Sequence, residues 1–195
     1  MARVTPRWLL SAEEVVAGVF AQQGYDATRM DDLAEAVRVP RATLYYHFSG
    51  KDAVLAWLMG STVAELGVAV SAAATQPASA AGRLERAIRA MLGVMGRRPA
   101  ACRVLIANLE QSGRLREIAE GLITAFHAPV MTLLIEGADD GSLRPVADPI
   151  RVASAIFGAV AIAGLQSLVV EDTFAEQAVA DAVLNLLLDG LRAHP

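Results

Sequence analysis

The chain has 195 residues, enough for one compact core or for a module of about fifty residues joined to a larger domain. Apolar residues make up 54% of it and aromatic ones only 5%, so a core has to be built from Ala, Val and Leu, which favours packed helices over sheets. A net charge of −4 excludes a polybasic protein that holds nucleic acid by bulk charge, and the single cysteine, Cys102, excludes an intramolecular disulfide and points to a reducing, cytoplasmic setting.

Residues 1–10 carry Arg3 and Arg7 without an apolar run of signal-peptide length, so no secretory signal is expected. A period of 3.6 places the first helix over 11–23, with Ser11 as its cap, Glu13 and Glu14 at its positive end, Gly24 closing it, and Val15, Val16, Val19 and Phe20 as the buried stripe. Thr28 followed three residues later by Asp31 approximates a capping box and predicts a second helix that buries Met30, Leu33, Ala34 and Val37. Arg38-Val39-Pro40 breaks the pattern, since Pro40 disfavours helix at Val39 yet suits the start of a new one, and a short third helix over 41–47 follows. Ser49-Gly50 interrupts again before a long amphipathic helix over 51–72.

Further helices are expected over 82–97, 100–111, 115–136, 149–170 and 175–193, the fourth of these opened by the cap-and-first-position pair Asp148-Pro149. Pro129 is expected to kink the helix it sits in. The stretch 152–170 has no charge and approaches a membrane span in length, but its Ser154, Gln166, Ser167, Gly158 and Gly164, and its lack of basic or aromatic belts, favour a helix buried in protein. No alternating strand pattern occurs anywhere, so the fold expected is all-α: a three-helix module over 1–50, then a larger helical domain over 51–195.

Two helices joined by a tight turn, the second short and polar on one face, are what the DNA major groove admits. Over 28–47, Leu33, Ala34, Val37, Val39 and Leu44 account for the internal packing, which leaves Arg41, Thr43, Tyr45, Tyr46 and His47 free to face DNA. Arg41 is the candidate base reader, because a guanidinium takes guanine O6 and N7 together. Over 1–59, six basic residues stand against seven acidic ones, a sum of −1, so affinity has to come from the clustering of Arg29, Arg41 and Lys51 around the turn.

The run Gly24-Tyr25-Asp26-Ala27-Thr28-Arg29-Met30-Asp31-Asp32-Leu33-Ala34, with Thr43-Leu44-Tyr45-Tyr46-His47-Phe48 and Lys51, resembles the DNA-binding signature of the TetR (tetracycline-repressor-like) family of transcriptional regulators. It departs from that pattern at Pro40, Ala42 and Arg29. The resemblance implies a homodimer whose recognition helices, 41–47, enter successive major grooves of a near-palindromic double-stranded operator. Lys51 would then contact phosphate, Tyr45 and His47 would lie near the DNA backbone, and Leu44 and Phe48 would be structural. It also implies that the last two long helices form a four-helix bundle with those of a second subunit, and that a ligand pocket lies between that bundle and the DNA module.

Gly158, Ala159, Ala161, Ala163 and Gly164 let helix axes approach in such a bundle, while Ala155, Ile162, Leu165, Val169, Ala182, Leu184, Leu187 and Leu188 supply buried area. Trp57, Met91, Met95, Leu105, Leu109, Phe126, His127 and Met131 are the candidate lining of the effector site, with Met as adaptable wall. The effector expected is small and mainly apolar, and it releases operator by shifting the spacing of the recognition helices. Three histidines assemble no catalytic constellation, so neither an enzyme, a cofactor nor a metal site is expected. The alternative is a helical ligand-binding or interaction protein without sequence-specific DNA binding.

Overall fold

The computed structural model describes residues 7–107, 115–171 and 173–191. Among these residues all regular elements are helical: α1 Arg7–Gln23, α2 Met30–Ala36, α3 Arg41–His47, α4 Lys51–Ala74, α5 Ala80–Arg97, α6 Pro99–Ala107, α7 Leu115–Leu122, α8 Ala128–Asp139, α9 Pro149–Val170 and α10 Glu176–Leu191. A single π-helical turn, Ile123–His127, joins α7 to α8.

The chain forms two compact units. The first holds the described residues up to Thr62 together with those from Arg98 to Ala107; the second holds Val63–Arg97 and the described residues from Leu115 onward. Helix α4 therefore supplies residues to both, as does the chain where α5 gives way to α6.

In the first unit α1 packs against α2 and α6, and α2 against α3. Helix α1 begins at Arg7, ahead of the expected Ser11 cap, so Leu9 joins the core. Its buried stripe is Ala12, Val16, Ala17 and Phe20, at helical spacings of four, one and three. Val15 lies off that stripe and is 44% exposed, against expectation.

In the second unit α5 packs on α8, α9 and α10, around Leu84, Ile88, Leu92, Phe126, Leu133 and Ile156. Helix α5 starts earlier than its own sequence indicates because distant side chains cap it. The Ala80 amide donates to Asp140 Oδ2 at 2.9 Å and the Ala81 amide to Ser142 Oγ at 3.1 Å. Hydrogen bonds from Ser142 and the Ala80 amide hold the Asp140 carboxyl below its ordinary range. Helix α9 has the predicted bounds, and its Asp148 cap accepts from the Arg151 amide at 3.1 Å.

Glycine is required where elements meet closely. A Cβ on Gly164 of α9 would lie 2.6 Å from Cε of Met95, so this glycine serves packing within the chain. Three helical stretches, Lys51–Ala74, Glu117–Asp139 and Pro149–Val170, are long and apolar enough to cross a membrane by length and composition alone, yet each buries part of its surface within the protein.

Gly137 is the most confined glycine: a Cβ there would lie 2.5 Å from Leu143 Cδ1 and 2.9 Å from its Cβ, and Leu143 is itself fully buried. Ala at this position gains about 1 kcal/mol of helix propensity but overpacks at a cost of about 1–3 kcal/mol. Gly137→Ala is therefore expected to lower the midpoint of thermal unfolding. Gly60→Ala, whose Cβ meets nothing within 4 Å, is expected to raise it.

Candidate nucleic-acid interface

The α1–α2 turn sets the module's geometry. Gly24 ends α1 in the left-handed region at φ +78°, with its amide donating to the Phe20 carbonyl at 2.9 Å. The buried Thr28 hydroxyl donates back to the Gly24 carbonyl at 2.7 Å, so Thr28 closes the turn and does not cap α2. The cap lies one residue later: the Arg29 amide donates to Asp32 Oδ2 at 2.8 Å, which corrects the Thr28–Asp31 box expected from the sequence.

Lys51 fastens the same turn from the start of α4. Its Nζ donates to the carbonyls of Tyr25 at 2.8 Å and Asp26 at 3.0 Å, and lies 4.4 Å from the centre of the Tyr25 ring. Tyr25 also stacks on Phe20 with ring centres 6.2 Å apart, and its hydroxyl donates to Asp52. In the sequence Tyr25 stands out only as part of the signature. Its pairing with Lys51 spans 26 residues and leaves no local spacing signal.

The turn between α2 and α3 is a Schellman closure. The Val39 amide donates to the Ala34 carbonyl and the Arg38 amide to the Glu35 carbonyl, each at 3.0 Å. Arg38 thereby takes φ +56°, a conformation that favours glycine, and it is exposed in the turn. Pro40 follows as the N-cap of α3 without a side-chain cap bond.

Helix α3 is held by Leu44 and Phe48, both buried, with the Phe48 ring 5.4 Å from that of Trp57. Arg41, Tyr45 and Tyr46 are exposed, Tyr46 at 65%, while Thr43 and His47 are half-buried. The Arg41 guanidinium bonds Asp31 at 2.9 Å and the Tyr45 hydroxyl at 3.4 Å, and lies 5.2 Å from the centre of the Tyr45 ring. Tyr46 and His47 meet edge to face at 5.1 Å. The structure thus gathers Arg41, Thr43, Tyr45, Tyr46 and His47 on α3, puts Arg29 at the exposed start of α2, and commits Lys51 to the turn.

A charged cluster that sequence reasoning missed ties α1 to α4 and α6. Arg98, only 6% exposed, donates to Glu13 and to Ser61 Oγ at 3.3 Å, with Glu14 3.6 Å away. Burial pushes the Glu14 carboxyl up, and the Ala100 amide, Arg98 and the Ala101 amide only partly offset this.

The candidate effector residues divide between the units. Trp57 and Leu105 belong to the first, and Leu109 lies outside the described residues. In the second, Met91 and Met95 are buried core on α5, and Phe126 is fully buried. His127 and Met131 are half-buried on one helical face. A groove of about 380 Å³, lined by Arg144, Pro145, Asp148, Arg151, Val152 and Ala155, contains none of these. Of the small and apolar residues expected at a subunit interface, Ala161, Gly164, Leu184 and Leu188 are buried within the chain, whereas Ile162 and Val169 stay exposed; Leu186 of α10, outside the expected set, is 76% exposed.

A short exposed helix set on a second across a tight turn is the arrangement of a helix-turn-helix DNA-binding module. Residues 16–57 match the family profile "Bacterial regulatory proteins, tetR family". Over 36 residues the chain is 44% identical to the biofilm operon icaADBC HTH-type negative transcriptional regulator IcaR of Staphylococcus aureus, covering 18% of this chain and 19% of that protein. The match thus spans about a fifth of the length of the curated relatives. The fold over nearly the whole chain is that of the fatty acid degradation regulator FadR of Bacillus halodurans, with a TM-score of 0.85 at 20% identity over 98% of this chain and 100% of that one. FadR of Bacillus subtilis in complex with stearoyl-CoA gives a TM-score of 0.80 at 20% identity over 93% and 98% of the two chains. Residues 16–57 thus match the DNA-binding region of the TetR family of transcriptional regulators, and the chain as a whole shares its fold with the two FadR proteins.

Two outcomes are expected from this geometry. Lys51→Met removes two charge-assisted hydrogen bonds from the α1–α2 turn and should cost about 1–3 kcal/mol in urea unfolding. Burial holds the His127 imidazole below its usual range, so the unfolded chain binds the proton more readily than the folded one. Stability against His127→Phe should then be unaffected above the unfolded value of about 6.5 and fall for the wild type as pH drops through it; unfolding curves between pH 8 and pH 5 measure the difference.

Proposed function

We propose that this protein is a repressor that binds a palindromic operator as a homodimer and is released by a small, mainly apolar effector bound in its second unit. The observation that carries the reading is α3: a helix seated by Leu44 and Phe48, with Arg41 held at its exposed start by Asp31 and Tyr45. An arginine restrained in this way reaches a guanine edge with less ordering cost than a free side chain. Thr43, Tyr45, Tyr46 and His47 supply the neighbouring backbone and base contacts, and Arg29 and the exposed Arg38 flank them. Lys51 serves by placing the turn, and its remaining N–H is available to a phosphate.

Homodimerisation is assigned to α9 and α10, where one chain leaves Ile162, Val169 and Leu186 exposed to water. The effector-binding role is supported by FadR of Bacillus subtilis, which is a regulator of this fold solved with stearoyl-CoA, and the repressing sign by IcaR, a negative regulator. The setting of such a regulator is the cytoplasm, where its DNA lies, and no catalytic step is assigned to it.

Selection of bound fragments from random DNA by the full-length protein tests the reading, with a recurrent palindrome as the expected result. Recovery of no preferred sequence would instead favour a helical binding protein that does not read DNA. Arg41→Ala should lose about 1–3 kcal/mol on the selected site and relax preference at one base pair per half-site. The double variant Ile162→Asp, Leu186→Asp should sediment as a monomer and lose most operator affinity at equal salt, because one subunit offers few phosphate contacts. A monomer that bound as tightly as the dimer would refute the dimer requirement.

A further inference from the structure

His127 presents two polar atoms with nothing to bond. Both ring nitrogens are shut off from solvent, and neither has a hydrogen-bond partner. The imidazole lies edge to face with Phe126 at 6.1 Å and with Phe157 of α9 at 5.2 Å, and those two rings meet at 5.4 Å, so three rings close a triangle. A buried donor and acceptor left unpaired in such surroundings cost about 1–3 kcal/mol, and buried polar groups are ordinarily paired with protein, water or ligand.

The backbone carries the same mark. His127 is the last residue of the π-helical turn, where the Ala128 amide reaches five residues back to the Ile123 carbonyl. Pro129, two residues on, has no amide with which to continue the regular ladder. The extra residue in this turn re-aims the side chains around it, and such turns recur at binding sites.

Resting on the reading of the second unit as an effector domain, we propose that His127 is the polar anchor of the effector site, taking an apolar molecule that carries one uncharged oxygen function, a carbonyl or a hydroxyl. A neutral imidazole offers one N–H to a carbonyl oxygen and one bare nitrogen to a hydroxyl proton, and the aromatic triangle accepts the adjoining hydrocarbon. Burial is the cause that lowers the imidazole's proton affinity, which disfavours the charged form a carboxylate would need.

Seven-carbon probes test this on the full-length protein bound to its selected operator: heptane, 2-heptanone, 1-heptanol and heptanoate. Affinity is read by calorimetry, release by operator binding, and the imidazole by ¹⁵N resonances. The wild type should bind 2-heptanone and 1-heptanol more tightly than heptane and heptanoate at pH 7, with a shift of the His127 nitrogens. His127→Phe should fold at least as stably as wild type, because it replaces an unpaired polar ring by an apolar one of similar shape. It should lose about tenfold in affinity for the ketone and the alcohol and none for heptane. His127→Gln, which keeps a donor and an acceptor, should retain the preference.

If 2-heptanone binds and releases operator equally well with wild type and His127→Phe, the anchor is refuted while the effector reading stands. If heptanoate binds tightest and protonates His127, or if the nitrogens hold the same water with and without ketone, the proposal fails. If no probe binds or alters operator affinity, the anchor and the apolar-effector reading fail together, and the selected operator alone remains.

Discussion

Arg98 is the constraint on which the first unit turns. A guanidinium taken out of water costs several kcal/mol unless carboxylates and hydroxyls replace the water, and here Glu13, Glu14 and Ser61 do so. Its partners come from α1 and α4, and Arg98 itself stands directly ahead of α6, so satisfying one charge fixes three elements. Removing Glu13 leaves the buried guanidinium undercompensated, which is a larger penalty than the net worth of the bond made. The cluster also sits where the chain re-enters the first unit after α5, and α4 is the other described element that runs from one unit to the other.

The DNA-facing module shows how a chain with little positive charge presents what it has. Lys51, the only lysine, points inward to two carbonyls, and Arg41 is drawn toward Asp31 and Tyr45. Each interaction uses a charge to set geometry, which lowers the entropy lost on docking while leaving fewer free cations for phosphate. In the proposed homodimer, affinity depends on two modules acting together, and the exposed apolar residues of α9 and α10 offer a physical basis for a pair.

The second unit spends its apolar residues in two ways that look alike in sequence. Gly164 and Ala161 lie against the chain's own core, whereas Ile162 and Val169, on the same helix, remain in water. Pro129 signalled a disturbed helix, but not that the adjustment would be a π turn upstream of it, ending on a histidine whose ring nitrogens have no hydrogen-bond partner. Phe157, which completes that histidine's surroundings, lies thirty positions away and carries no local mark.

What the sequence determined by itself was whatever depends on short range. The period of 3.6, with cap and proline signals, predicted helix over each described helical stretch, though α7 and α8 as one; Asp148-Pro149 opened α9 at the right place, and Leu33, Ala34 and Leu44 marked the internal packing of the recognition module. Tertiary structure alone decided the start of α5, capped by Asp140 and Ser142; the true cap of α2, shifted because Thr28 bonds back to Gly24; and the Arg98 and Tyr25–Lys51 clusters. It also separated Trp57 and Leu105 from the methionines and Phe126 with which composition had grouped them. The reason is common to all of these: local pattern fixes which face of a helix is apolar, but which partner meets that face, and which polar group is left unpaired, is settled only when distant residues are brought together.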